Sequence, residues 1–98
     1  MTINKTNEAD KLIISVGGRL DTTTAPELEA ELKNSLDGVK ELVFDIKELE
    51  YISSAGLRVL LSAQKVMNKQ GKMTVTGANE SVMEIFEVTG FVDILNIE

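Results

Sequence analysis

The sequence predicts a small α/β fold in a single domain over residues 1–98, with a mixed sheet that is parallel at its centre and helices packed on it. Three observations predict it. Short apolar runs rich in β-branched residues alternate with segments whose apolar residues recur every three or four positions, the pattern of strands joined by helical crossovers. Ninety-eight residues suit one hydrophobic core, since domains typically hold about 100 to 150 residues. The chain is 43% hydrophobic and 27% charged, ordinary values that disfavour both disorder and a coiled-coil rod.

Each element has its own local warrant. Leu12, Ile13, Ile14 and Val16 make Lys11–Val16 a mostly buried strand, and Gly17-Gly18 is expected to end it as a turn. Thr2–Thr6 is an edge strand paired with it across a hairpin loop at Glu8-Ala9-Asp10. Thr24 with Glu27 three positions later forms a capping box, and Pro26 suits a first helical turn, so a helix starts here. Ala25, Leu28, Leu32 and Leu36 mark its buried face, and Gly38 stops it. Glu41–Ile46, with Leu42-Val43-Phe44, is too continuously apolar for a strand with one wet face and is placed centrally in a parallel sheet. A polar turn at Lys47-Glu48 follows, and Leu49, Tyr51 and Ile52 lead as a connection into a second helix, Leu57–Gln70, closed by Gly71. Lys72–Thr76 turns Met73 and Val75 inward as a further strand. Asn79 caps a third helix that carries Val82, Ile85 and Phe86 and closes at Gly90, and the apolar tail Phe91–Ile97 docks on the sheet. The order β-β-α-β-α-β-α-tail holds two crossover units and an antiparallel first strand.

Composition narrows the function. Ten Lys plus Arg against sixteen Asp plus Glu give a net charge of −6, the opposite of the basic footprint of a nucleic-acid binder, and unattractive to an anionic membrane. Without Cys or His the chain lacks thiol nucleophiles, the commonest general base and the commonest neutral metal ligand. The sequence has neither the apolar segment of a signal peptide nor a membrane span of about 20 residues, so a cytoplasmic protein without metal or cofactor is expected.

In open α/β sheets, ligands and partners meet the loops outside the carboxyl ends of the parallel strands. Two loops fit: Gly17 to Thr24 after the second strand, and Tyr51 to Arg58 at the start of the second helix. Ser54 stands where unpaired backbone N–H groups and the helix dipole favour negative charge, so a phosphate there would be tolerated. Gly56 removes a side chain nearby and is expected to let another backbone or a nucleotide approach the hydroxyl. On local physics alone the plainer reading, that Ser53 or Ser54 is simply an N-cap, is the favoured one. Asp21 can be a turn residue, since Asp bonds its own backbone two residues on. Arg58, one helical turn after Ser54, can pair with a phosphate or a partner carboxylate, with a solvated helix charge as the plain alternative. Asp45 reads as a turn residue, Glu48 and Glu50 as solvent-facing charges.

Together the two loops resemble the STAS domain of bacterial anti-sigma factor antagonists. The family's Gly-x-Leu-Asp stretch reads here as Gly18-Arg19-Leu20-Asp21, and its helix-opening stretch as Ile52-Ser53-Ser54-Ala55-Gly56-Leu57-Arg58. Element order and length agree over essentially the whole chain. The resemblance implies a STAS-like fold and a non-enzymatic switch, in which Ser54 is phosphorylated by a partner anti-sigma factor kinase and restored by a serine phosphatase. It places Asp21, Thr22, Ser53, Ser54, Ala55, Gly56, Leu57 and Arg58 in the partner surface. The alternative within the family is an accessory subunit that binds the ATPase of an ATP-binding-cassette lipid transporter. One departure is Ser53, which stands where the best-known antagonists carry Asp and so removes a charge beside the acceptor.

Overall fold

The computed structural model describes residues 1–98. Five strands and three helices follow in the order β1 (Thr2–Glu8), β2 (Lys11–Leu20), α1 (Ala25–Ser35), β3 (Glu41–Asp45), β4 (Leu49–Ile52), α2 (Ser54–Gln70), β5 (Lys72–Thr76) and α3 (Glu80–Thr89), with a short 3-10 turn at Phe91–Asp93. The sheet runs β1-β2-β3-β5, with β4 paired to the far part of β2. Only β1 is antiparallel to its neighbour; β2·β3, β2·β4 and β3·β5 are all parallel. The mixed sheet with a parallel centre is as expected.

Burial explains this arrangement. Leu12, Ile14, Val16, Leu42 and Phe44 are almost wholly buried, while Ile13, Ser15, Val43 and Asp45 between them are half-buried. β2 and β3 therefore keep a period of two, and the helices cover one face of the sheet. Val43 is thus less enclosed than its apolar neighbours suggest: β3 is central, but it is not sealed on both sides. Ala25, Leu28, Leu32 and Leu36 of the first helical segment, with Val59, Leu60, Ala63 and Met67 of α2, close the core over that face. Asn79 caps α3 as expected, its Oδ1 accepting the Val82 N–H at 2.8 Å, and its Nδ2 donates to the Leu49 carbonyl at 2.9 Å. The tail docks on the free edge of β5, where the Val75 N–H donates to the Asn96 carbonyl and the Glu98 N–H to the Val75 carbonyl, both at 2.9 Å. No helix is long and apolar enough to cross a membrane.

Three expectations are corrected. Gly17-Gly18 does not end β2. The strand continues to Leu20, with a register shift between Gly18 and Arg19 and a positive φ of 85° at Gly18, a conformation that glycine adopts without the steric cost of a Cβ. This bulge swings the end of β2 from β3 to β4. Leu49–Ile52 is accordingly a strand, not a connection, and its burial order of buried, exposed, exposed, buried hides the alternation that would reveal it. Finally, Thr24 forms no side-chain cap on α1; its hydroxyl is used inside the preceding turn.

Candidate functional site

The bulge builds the site. By moving the end of β2 beside β4 it pairs Leu20 with Ile52, and the Ser53 N–H donates to the Leu20 carbonyl at 2.9 Å. The two loops named above leave neighbouring parallel strands at the same level, so Asp21 and Ser53 emerge side by side on one rim.

At the α2 end of the rim the two serines differ. Ser53 has an extended backbone (φ −97°, ψ 177°) and is the N-cap: its Oγ accepts the Gly56 N–H at 3.4 Å, and its carbonyl accepts the Leu57 N–H at 2.9 Å. Ser54 is the first residue of α2 and is exposed. Capping occupies Ser53, which leaves the Ser54 hydroxyl free at the positive end of a 17-residue helix. The helix begins at Ser54 and not at Leu57, because Ser53 supplies the cap that lets the small residues Ser54-Ala55-Gly56 form a first turn.

Asp21 lies at the other end of the rim and is tied into a turn. Its Oδ1 accepts the backbone N–H of Thr23 at 3.0 Å and of Thr24 at 3.2 Å, the bonds to nearby backbone that Asp favours in turns. The Thr24 hydroxyl accepts the Asp21 N–H at 2.9 Å and donates to the Arg19 carbonyl at 2.8 Å, which is why it does not cap α1. The Thr24 N–H, then those of Thr23 and the Thr24 hydroxyl and the charge of Arg19, hold the Asp21 carboxyl below its ordinary value of 3.8 against a desolvation that acts the other way. The second oxygen, Oδ2, faces Arg19 Nε at a loose 3.8 Å, and the guanidinium of Arg19 lies 4.4 Å from the centre of the Tyr51 ring. This stacked pair was not foreseen in the sequence. It follows from the β2·β4 register, which sets Arg19 opposite Tyr51, and so depends on the strand that the pattern concealed.

The remaining residues of the two loops separate into outer and inner ones. Thr22, Ala55 and Arg58 line an open groove of about 440 Å³ between the starts of α1 and α2, and Arg58 is exposed. Leu57 points into the core at 5% exposure. Gly56 is also buried, and a Cβ there would come within 2.7 Å of Leu20 Cγ and 2.8 Å of Ile52 Cγ1. Its missing side chain therefore makes room for core residues, not for an approaching nucleotide. Asp45 holds its own turn, accepting the Lys47 N–H at 3.2 Å. No group of acidic side chains has the spacing of a metal site. The rim carries an exposed hydroxyl, a partly ordered carboxylate and two guanidinium groups, which suits recognition and modification.

Comparisons with known proteins bear on the family and the fold. The family model for the STAS domain matches residues 1–98. A protein of Bordetella bronchiseptica, BtrV, named as a candidate anti-sigma factor antagonist, is 40% identical over 88 residues, covering 88% of this chain and 76% of its own length. The anti-sigma-B factor antagonist of Staphylococcus aureus is 31% identical over 101 residues, covering 99% of this chain and 94% of its own. Among solved structures, the Bacillus cell fate determinant SpoIIAA in its phosphorylated form superposes with a TM-score of 0.77 at 13% identity, over 99% of this chain and 91% of that one.

Proposed function

This chain belongs to the STAS domain family, and we propose that it is an anti-sigma factor antagonist switched by phosphorylation of Ser54. In the unmodified state the rim binds a kinase-type anti-sigma factor, which then no longer holds its sigma factor. The kinase transfers the γ-phosphoryl of ATP to the Ser54 hydroxyl: the bond from Oγ to phosphorus forms, the bond to the departing ADP oxygen breaks, and the hydroxyl proton leaves to a base on the kinase. A serine phosphatase reverses the step. The protein acts in the cytoplasm as a binding partner and not as an enzyme.

The observation that carries this reading is the division of labour between the serines: Ser53 caps α2 and Ser54 stands exposed and uncommitted beside it. A phosphate on Ser54 brings about −1.5 to −2 charge at neutral pH. The helix dipole accepts it, so the fold need not change, whereas a partner docked on the rim would have to desolvate it and accommodate its bulk. Names among the relatives support the reading, both through the antagonist of Staphylococcus aureus and through a SpoIIAA structure described as phosphorylated. The test is incubation with the anti-sigma factor kinase of the same organism and ATP, followed by mass spectrometry. A single phosphate on Ser54 is the expected product; a phosphate on Ser53, or none with a kinase that binds, overturns the assignment.

A further inference from the structure

The groove beside Ser54 does not stop at the rim. It continues between α1 and α2 into a second hollow of about 370 Å³, the two sharing Glu29, Val59 and Ser62 as walls. Its inner part is apolar, with Leu32, Leu36, Val59 and Ala63 at the floor and Val66, 40% exposed, on the lip. Along α2 the lining runs from Ala55 to Gln70, a length of about 22 Å at the rise of an α-helix. That is room for about four turns of a second helix.

Charges divide the two ends. Arg58 lines the end next to the rim and joins no ion pair, while Glu29 beside it is engaged by Lys33 at 3.5 Å. Asp37, also without an ion pair, lines the far end. The groove therefore presents a free cation at the Ser54 end, a middle with an apolar floor and the Glu29–Lys33 pair on its α1 wall, and a free anion at the other end, continuous with the rim.

Resting on the antagonist reading, we infer that this groove receives an amphipathic helical segment of the anti-sigma factor, its acidic end against Arg58 and its apolar face on Val59, Ala63 and Val66. Helix-in-groove recognition uses an apolar stripe for affinity and charged ends for direction. The length and the opposed terminal charges match a helix and leave a simple acyl chain with an uncompensated Asp37. The groove is also coupled to the switch. Arg58 follows Ser54 by one turn, and side chains on a helix lean toward its N-terminus, so a phosphate on Ser54 competes with the partner's acidic group for the same guanidinium. Phosphorylation thereby weakens the groove contact as well as the rim.

The test measures binding of the purified anti-sigma factor kinase of the same organism to wild type, Val66→Glu, Ser62→Glu, Arg58→Glu and, as a control on α2 outside the groove lining, Lys65→Glu. Ser62 and Val66 are exposed, and circular dichroism and melting confirm that each variant folds. The expected result is a loss of roughly tenfold or more for Val66→Glu, Ser62→Glu and Arg58→Glu, with Lys65→Glu unchanged. Wild-type affinity in both Val66→Glu and Ser62→Glu, with Ser54 still phosphorylated, overturns the groove while leaving the antagonist reading intact. Absence of binding by the wild-type protein overturns both. Two other results also overturn the inference: dimerisation of the wild-type chain that Val66→Glu abolishes, and a fluorescent fatty acid bound in the groove and not displaced by the kinase.

Discussion

The two connections on the rim, one from β2 into α1 and one from β4 into α2, solve the same problem in opposite ways. In the first, two side chains are spent on the turn: Asp21 accepts from two backbone N–H groups, and the Thr24 hydroxyl both accepts from Asp21 and donates to Arg19. In the second, one side-chain hydrogen bond at 3.4 Å suffices, and the next residue, Ser54, is left exposed at the helix start. A turn tied in this way holds a carboxylate in a fixed direction, whereas a helix N-terminus tolerates a change of charge without rearrangement. Order on one side and tolerance on the other make a rim that keeps its shape while its charge is altered.

The strongest way to break this comparison is to place charge at the tolerant position. Ser54→Asp is expected to weaken binding to the anti-sigma factor by several kcal/mol, the scale of like-charge or desolvated-charge contacts at interfaces. The melting temperature should stay within about 4 °C of wild type, because surface changes away from special features alter stability by about 0.5 kcal/mol or less, which in a domain of this size moves the midpoint by about 2 to 4 °C. Calorimetry and thermal melts on the same samples check both halves. A large fall in melting temperature would show that the helix start is not tolerant, and the contrast between the two connections would fail.

A second prediction sharpens the ordered side. Asp21→Asn keeps an oxygen that can accept from Thr23 and Thr24 but removes the charge that faces Arg19. If the carboxylate also meets a basic group of the partner, affinity should fall by roughly tenfold. The acid dependence of stability should change as well. Because the Asp21 carboxyl is held below its ordinary value of 3.8, the unfolded chain takes up that proton first as pH falls, so the contribution is fully present above 3.8 and is lost as pH falls through the lower folded value. The stability gap between wild type and Asp21→Asn should accordingly shrink in that acid range, as followed by denaturant melts. Unchanged affinity with the gap still present would make Asp21 a turn residue alone.

Much of the fold was legible because its elements obey single local rules. The face of Ala25, Leu28, Leu32 and Leu36 is a plain helical period, and Asn79 is a cap that works within three residues. The features that escaped were those set by distant packing. Leu49–Ile52 pairs with β2 only because Gly18 bends that strand, and neither residue pattern announces the other. Thr24 and Glu27 have the spacing of a capping box, but Asp21 competes for the threonine and wins, since the turn offers its hydroxyl both a donor and an acceptor at under 3 Å. Gly56 looked like clearance for a ligand, and only the positions of Leu20 and Ile52 reveal that the space is filled from within. On the rim, Asp21, Thr22, Ser54, Ala55 and Arg58 face outward or line the groove, whereas Leu57, named with them, belongs to the core. Sequence adjacency cannot separate these groups, because successive residues of a first helical turn point in different directions.

The smallest expected effect separates the two serines. Ser53→Ala removes the acceptor for the Gly56 N–H and should cost about 0.5 to 1 kcal/mol of stability, toward the lower part of the range for cap removal because the bond is long. Ser54→Ala removes a hydroxyl with no structural partner, so stability should change by less than about 0.5 kcal/mol. In binding the order inverts. Ser54→Ala should hold the kinase as wild type does and yet resist inactivation by ATP, while Ser53→Ala should still be phosphorylated, because its neighbour's hydroxyl remains in place. Paired melts and a phosphorylation time course on the two variants decide between them. If Ser54→Ala proves the more destabilising, then Ser54 bears part of the cap, a phosphate there would compete with a structural bond, and the switch would act by loosening the start of α2 instead of by charge on an unchanged surface.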